Sequence, residues 1–147
     1  MTIEVHFDLI CPWCLIGKRH LATALQRFRE LHPDVSPRIV WTACPLLPDT
    51  PPQGLPYDAF YERRLGGKTA VAARRAQVQA AAATAGFQFN FEAIRVMPNT
   101  LPAHRLIRQV QQHGAPEQVE TLIEKLFTAY FLDGCDIGNT DVLAGLA

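Results

Sequence analysis

The chain has 147 residues, 48% of them hydrophobic, which suffices for one ordinary core or a core with a modest inserted subdomain. Its 14 basic and 14 acidic side chains cancel to zero net charge, so there is no electrostatic footprint for nucleic acid or an anionic membrane, and neither is expected as a partner. The first residues show neither the basic nor the apolar region of an export signal, and no apolar run approaches about 18 residues; the expected location is the cytoplasm, where a disulfide is transient rather than a staple.

Residues 2–8 alternate, with Ile3, Val5 and Phe7 on one side and Thr2, Glu4, His6 and Asp8 on the other, the pattern of a strand. From Trp13 the period becomes helical: Ile16, His20, Leu21, Ala24, Leu25, Phe28 and Leu31 share a face, and Pro33 supplies the stop. Between the two stands Cys11-Pro12-Trp13-Cys14. The first thiol therefore falls at a helix N-terminus, where unpaired N–H groups and the macrodipole favour an anion. Cys11 is expected to be the low-pKa thiolate and nucleophile, and Cys14, one turn deeper and less exposed, the resolving thiol. Pro12 suits a first turn that has no use for its missing N–H, and with Trp13 it shapes the site. Neither carries a cation, so the pair does not fix the direction of electron transfer.

Thiols at this spacing also occur in zinc knuckles, where a second Cys/His pair completes a tetrahedron. Here Cys44 and Cys135 stand alone, and His6, His20 and His32 follow no ligand spacing, so neither a metal nor a cofactor is expected. A purely structural disulfide does not suit the expected compartment. Among the neighbours, His6 is expected as a partly buried, hydrogen-bonded strand residue, Lys18 as a solvated helix lysine, and Cys44 and Cys135 as small buried apolar residues.

Residues 38–42, rich in β-branched and aromatic side chains, predict a second strand that completes a βαβ unit. Pro45, Pro48, Pro51, Pro52 and Pro56 then make residues 45–56 a stiff linker or, on a weaker reading, one wall of a groove beside Cys11. Helices follow over residues 57–65 and 69–86, parted by Gly66-Gly67. After an irregular stretch with Phe87, Phe89, Phe91, Ile94 and Val96, Thr100 is expected to cap a helix ending at Gly114. Pro116 opens an amphipathic helix whose apolar face is Val119, Leu122, Ile123, Leu126, Phe127, Tyr130 and Phe131, and Asn139-Thr140 caps a last segment. The division that results is residues 1–44 for the βαβ part, 45–56 for the linker and 57–147 for a helical insertion.

Four ordered segments carry a resemblance. They are Asp8-Leu9-Ile10-Cys11-Pro12-Trp13-Cys14-Leu15-Ile16-Gly17-Lys18, then Pro51-Pro52-Gln53-Gly54-Leu55-Pro56-Tyr57, then Pro98-Asn99-Thr100 with Ala103-His104-Arg105-Leu106-Ile107, and Ala129-Tyr130-Phe131 with Asp136-Ile137-Gly138. In this order they resemble the DsbA family, most closely its cytoplasmic FrnE-like branch. The resemblance implies an α/β fold, a thioredoxin-like βαβ unit with a large all-helical insertion, and a protein-disulfide oxidoreductase in which Cys11 attacks and Cys14 resolves. Its substrate would be a protein or small-molecule thiol or disulfide, with glutathione or thioredoxin as redox partner. His104 is expected to pack within the insertion. The C-terminal β-β-α unit that closes a thioredoxin sheet, with its cis-proline, is not found by pattern here, since Met97-Pro98 reads as the approach to a helix. Either the chain is a piece of a longer protein that carries this unit, or a homodimer completes the sheet by exchange of elements. Two other function classes share the architecture or the motif: glutathione-dependent isomerases of the hydroxychromene-carboxylate type with kappa-class transferases, and a redox-inactive binding module.

Overall fold

The alternating apolar residues at the start of the chain form β1 (Thr2–Phe7), with Phe7 buried, Ile3 and Val5 half-buried, and Thr2, Glu4 and His6 exposed. A computed structural model describes all of residues 1–147. After β1 come α1 (Pro12–Leu31), β2 (Arg38–Ala43), β3 (Leu55–Pro56), α2 (Tyr57–Leu65) and α3 (Lys68–Thr84), then a 3-10 turn at Phe91–Ala93, β4 (Val96–Met97), α4 (Leu101–His113), α5 (Pro116–Phe131) and α6 (Thr140–Leu146). β1 and β2 pair in parallel from Thr2 opposite Arg38 to Phe7 opposite Ala43, so α1 is the crossover of a βαβ unit. This is the thioredoxin-like α/β architecture with a predominantly helical second part.

The proline-rich segment is tied back into the fold at its end, where Leu55 and Pro56 of β3 pair antiparallel with Met97 and Val96 of β4. Gly54 makes the close approach feasible: its φ is +73°, and a Cβ there would meet the Val96 side chain and the Met97 carbonyl. α2 stops at Gly66 in the left-handed conformation, φ +93°, as the Gly66-Gly67 pair predicts. All seven residues assigned to the apolar face of α5 are buried, and Ala129 joins them. They form the centre of a core that also takes in Phe7, Leu9, Leu15, Trp41, Ile94 and Met97.

Several expectations are corrected. Thr100 stands at the N-cap position of α4 but its side chain caps nothing, since its backbone is already helical (φ −84°, ψ −6°); Asn99 Oδ1 accepts from the Leu101 N–H at 2.9 Å, an Asx turn that a short amide side chain makes more readily than a threonine. His6 is exposed, 3.3 Å from the equally exposed Glu4, because nothing covers that face of β1. Cys44 is exposed as well, just past the end of β2. On α1 the apolar face is buried at Leu15, Ile16 and Leu25, whereas His20 and Ala24 are exposed and Leu31 is 75% exposed. Lys18 is not solvated: its ammonium lies 2.8 Å from Glu124 and 3.6 Å from Glu120, with only 9% of the side chain exposed.

Candidate active site

The strand-to-helix junction is built from three buried residues, Asp8, Leu9 and Ile10, which fix where α1 starts. Cys11 is the N-cap, in extended conformation at φ −90° and ψ 110°, with Pro12 in the first turn. Its N–H donates to the Asp8 carbonyl at 3.2 Å, and its carbonyl accepts from the Cys14 N–H at 3.1 Å. No side chain caps the helix, so the free N–H groups of the first turn remain available to the Cys11 sulfur. A hydrogen bond from the Cys14 thiol, helped by the backbone N–H groups of Cys14 and Trp13, lowers Cys11 to about 7 from the ordinary 9.0, against burial and the Asp8 charge, which act the other way. Cys14 moves up: it is the donor in that bond, and burial and Asp8 add to the effect. Both thiols are free and both half-buried, so the expected contrast in exposure is absent; protonation is what separates them.

Asp8 is a member of the site, although the alternation of β1 predicts an outward strand residue there. The strand ends at Phe7, and the turn that follows carries Asp8 inward, where it is 1% exposed. Oδ1 accepts from the Leu9 N–H at 2.8 Å and from His104 Nε2 at 3.0 Å, and Oδ2 accepts from the Leu46 N–H at 2.7 Å. One carboxylate thus ties the start of α1, the proline-rich segment and α4 together. A carboxylate only accepts, so Nε2 carries the proton of this bond, and the buried Nδ1 is without a partner. His104 also packs edge-on against Phe7, with ring centroids 5.3 Å apart. It reaches beyond the helical part to the β1 end, which corrects its expected place inside the insertion. The signal was present as the shared appearance of Asp8 and His104 in the ordered segments.

Beside Cys11 opens a cavity of about 220 Å³. Its walls are Ile10, Pro12 and Trp13 from the junction, Leu46 and Leu47 from the proline-rich segment, Tyr57, Phe60, Tyr61, Arg64 and Leu65 from α2, Val71, Arg74, Arg75 and Val78 from α3, and Phe91. Residues 45–56 therefore contribute a groove wall as well as a connection. Burial pushes the Tyr57 and Tyr61 phenols up, and at Tyr61 the Cys11 charge pushes the same way while the Arg64 guanidinium opposes it. Arg75 is held by Asp58 at 2.8 Å and Glu92 at 3.2 Å and lies over the rings of Tyr57 and Phe91, both at 5.6 Å. Lys18 faces α5, and together with Arg19 it holds the Glu124 carboxyl below its usual range despite burial. No group of three or more His, Cys, Asp or Glu side chains is gathered to hold a metal, and no helix is long and apolar enough to cross a membrane.

The model of the DSBA-like thioredoxin domain matches residues 2–147. Among solved structures, the crystal structure of a probable DsbA oxidoreductase from Streptomyces coelicolor superposes with a TM-score of 0.83 at 24% identity, over 100% of this chain and 61% of that one. The chain thus spans about three-fifths of the length of that relative. No curated protein matches the sequence.

Proposed function

This chain belongs to the DSBA-like thioredoxin domain family, and from that premise we propose that it is a thiol-disulfide oxidoreductase, nearest the FrnE-like branch, working through Cys11 and Cys14. One observation carries the reading: Cys11 caps an otherwise uncapped helix, is lowered to about 7, and has a protonated Cys14 as its hydrogen-bond donor. An anion beside a held proton is the starting state for dithiol exchange.

In the reducing direction the Cys11 thiolate attacks one sulfur of a substrate disulfide, the S–S bond breaks, and one substrate sulfur leaves as thiolate. The Cys14 thiol then loses its proton and attacks Cys11 Sγ, which forms the Cys11–Cys14 disulfide and expels the second substrate sulfur. Two electrons pass from the protein to the substrate, whose two departing thiolates take up the proton released by Cys14 and one from solvent, and the oxidising direction is the reverse. The Asp8 charge raises both thiols and so opposes the loss of either proton. Glutathione or thioredoxin would reset the pair, and a cytoplasmic location fits a disulfide that cycles.

The test is the pH dependence of Cys11 alkylation by iodoacetamide. Only the thiolate reacts, so the rate should rise with pH, reach half its plateau near pH 7 and be about tenfold below the plateau at pH 6. A midpoint near 9 removes the basis of the proposal. Cys14→Ala separates the alternatives: dithiol exchange should stop at a mixed disulfide on Cys11, whereas a glutathione-dependent isomerase would be largely indifferent to the change.

A further inference from the structure

We infer that the cavity beside Cys11 accepts a compact, ring-sized apolar thiol or disulfide that carries a carboxylate, with the sulfur at Cys11 and the anion at Arg64 and Arg74. The inference rests on the dithiol reading above and adds a substrate class to it.

Size comes first. At about 220 Å³ the cavity is below the roughly 300–1,000 Å³ of sites for drug-sized ligands, so it holds one ring-sized group rather than a stretch of peptide. Its walls are mostly apolar, with Tyr57, Phe60 and Leu47 among them, and an apolar body would gain by leaving water there.

Charge gives the second constraint. Three arginines line the cavity and no acidic residue does. Arg75 is already occupied by Asp58 and Glu92. Arg64 and Arg74 are exposed at the margin and neither has a carboxylate partner; Arg64 lies over the Phe60 ring at 5.9 Å. Two unpaired guanidiniums, one of them over an aromatic ring, suit a planar carboxylate, which they can meet through paired N–H donors. Tyr61 lines the same cavity as Cys11, Arg64 and Arg74. One cavity thus offers a thiolate, an aromatic wall and a cation. A substrate that matches it has a sulfur at one end, an apolar body and an anion at the other. Exchange proceeds as described above: the substrate S–S bond breaks, the Cys11–Cys14 bond forms, and two electrons and two protons reduce the disulfide to two thiols.

The experiment is single-turnover reduction of two aromatic disulfides by the fully reduced chain. Dithiobis(nitrobenzoate) carries a carboxylate on each ring; dithiodipyridine is neutral. The readout is the ratio of their second-order rate constants in wild type, in the double variant Arg64→Gln with Arg74→Gln, and in the charge-keeping Arg64→Lys with Arg74→Lys. Loss of a charge-assisted contact is expected to lower the anionic-to-neutral ratio about tenfold in the Gln pair, with most of it restored in the Lys pair. In wild type the ratio should also fall as ionic strength rises, a measurement that needs no variant to fold. An unchanged ratio in the Gln pair together with a ratio insensitive to salt would overturn the inference, whereas failure of wild type to reduce either disulfide would instead overturn the dithiol reading beneath it.

Discussion

α1 and α5 are the two long amphipathic helices of this molecule, and the structure treats them oppositely. α5 has 16 residues, of which eight are buried, and its apolar stripe is enclosed along its whole length. α1 has 20 residues, of which three are buried. Two of these, Leu15 and Ile16, sit next to Cys14, while the C-terminal half of the helix stands largely in water. The difference assigns separate tasks. α5 holds the core together, and α1 is fixed only where its N-terminus must present Cys11. The two are latched by Lys18 and Arg19, which meet Glu124 at 2.8 and 2.7 Å.

The largest effect should come from opening the α5 side. Phe127 is fully buried, and its ring neighbours Phe7 of β1 at 6.1 Å and Phe131 at 6.3 Å. Phe127→Ala removes a ring from the junction of both regions, and urea unfolding should show a loss of about 3–5 kcal/mol. A loss under 1 kcal/mol would mean that α5 is not the organising helix.

A smaller effect sharpens the link between the regions. His104 of α4 holds Asp8, and Asp8 holds the turn that starts α1. His104→Ala leaves a buried carboxylate short of one partner and should cost about 2–3 kcal/mol. It should also move Cys11. With one donor gone, the Asp8 charge opposes the thiolate more strongly, so the midpoint of Cys11 alkylation should rise above 7. His104→Gln can donate again and should bring the midpoint back. A stability loss with no movement of the midpoint would make His104 a packing residue and no more.

The contrast between the helices also explains what could be read in advance. The apolar face of α5 was legible because a residue-by-residue period is enough when a helix is enclosed on one side along its length. The same rule applied to α1 named seven facing residues, of which Ile16 and Leu25 are buried, since period reports which face is apolar and says nothing of whether anything covers it. Cys11 and Cys14 were legible as a pair because the strand-to-helix change is local. Asp8 and His104 are 96 residues apart, and their meeting is tertiary. Asp8 obeyed the alternation of β1 on paper, but the strand ends one residue earlier and the turn reverses its direction. The cavity was legible only in part: residues 45–56 offered a groove wall beside Cys11, whereas the share of α2 and α3 was hidden, because their residues read singly as ordinary surface or core.

The smallest expected effect lies at the far end of α1, and it decides what the exposed stripe means. Leu31 is 75% exposed, and truncating an uncovered side chain removes almost no apolar burial, so Leu31→Ser should keep the unfolding free energy within about 0.5 kcal/mol. The result has more reach than its size. A homodimer that completed the two-stranded sheet could cover this end of α1, and Leu31 would then act as a core residue. In that case the loss would approach the cost of a buried leucine, about 2 kcal/mol or more, and the midpoint would shift with protein concentration, because association adds to apparent stability by mass action. A null result at every concentration would leave α1 as a helix anchored at its reactive tip and free along its outer half.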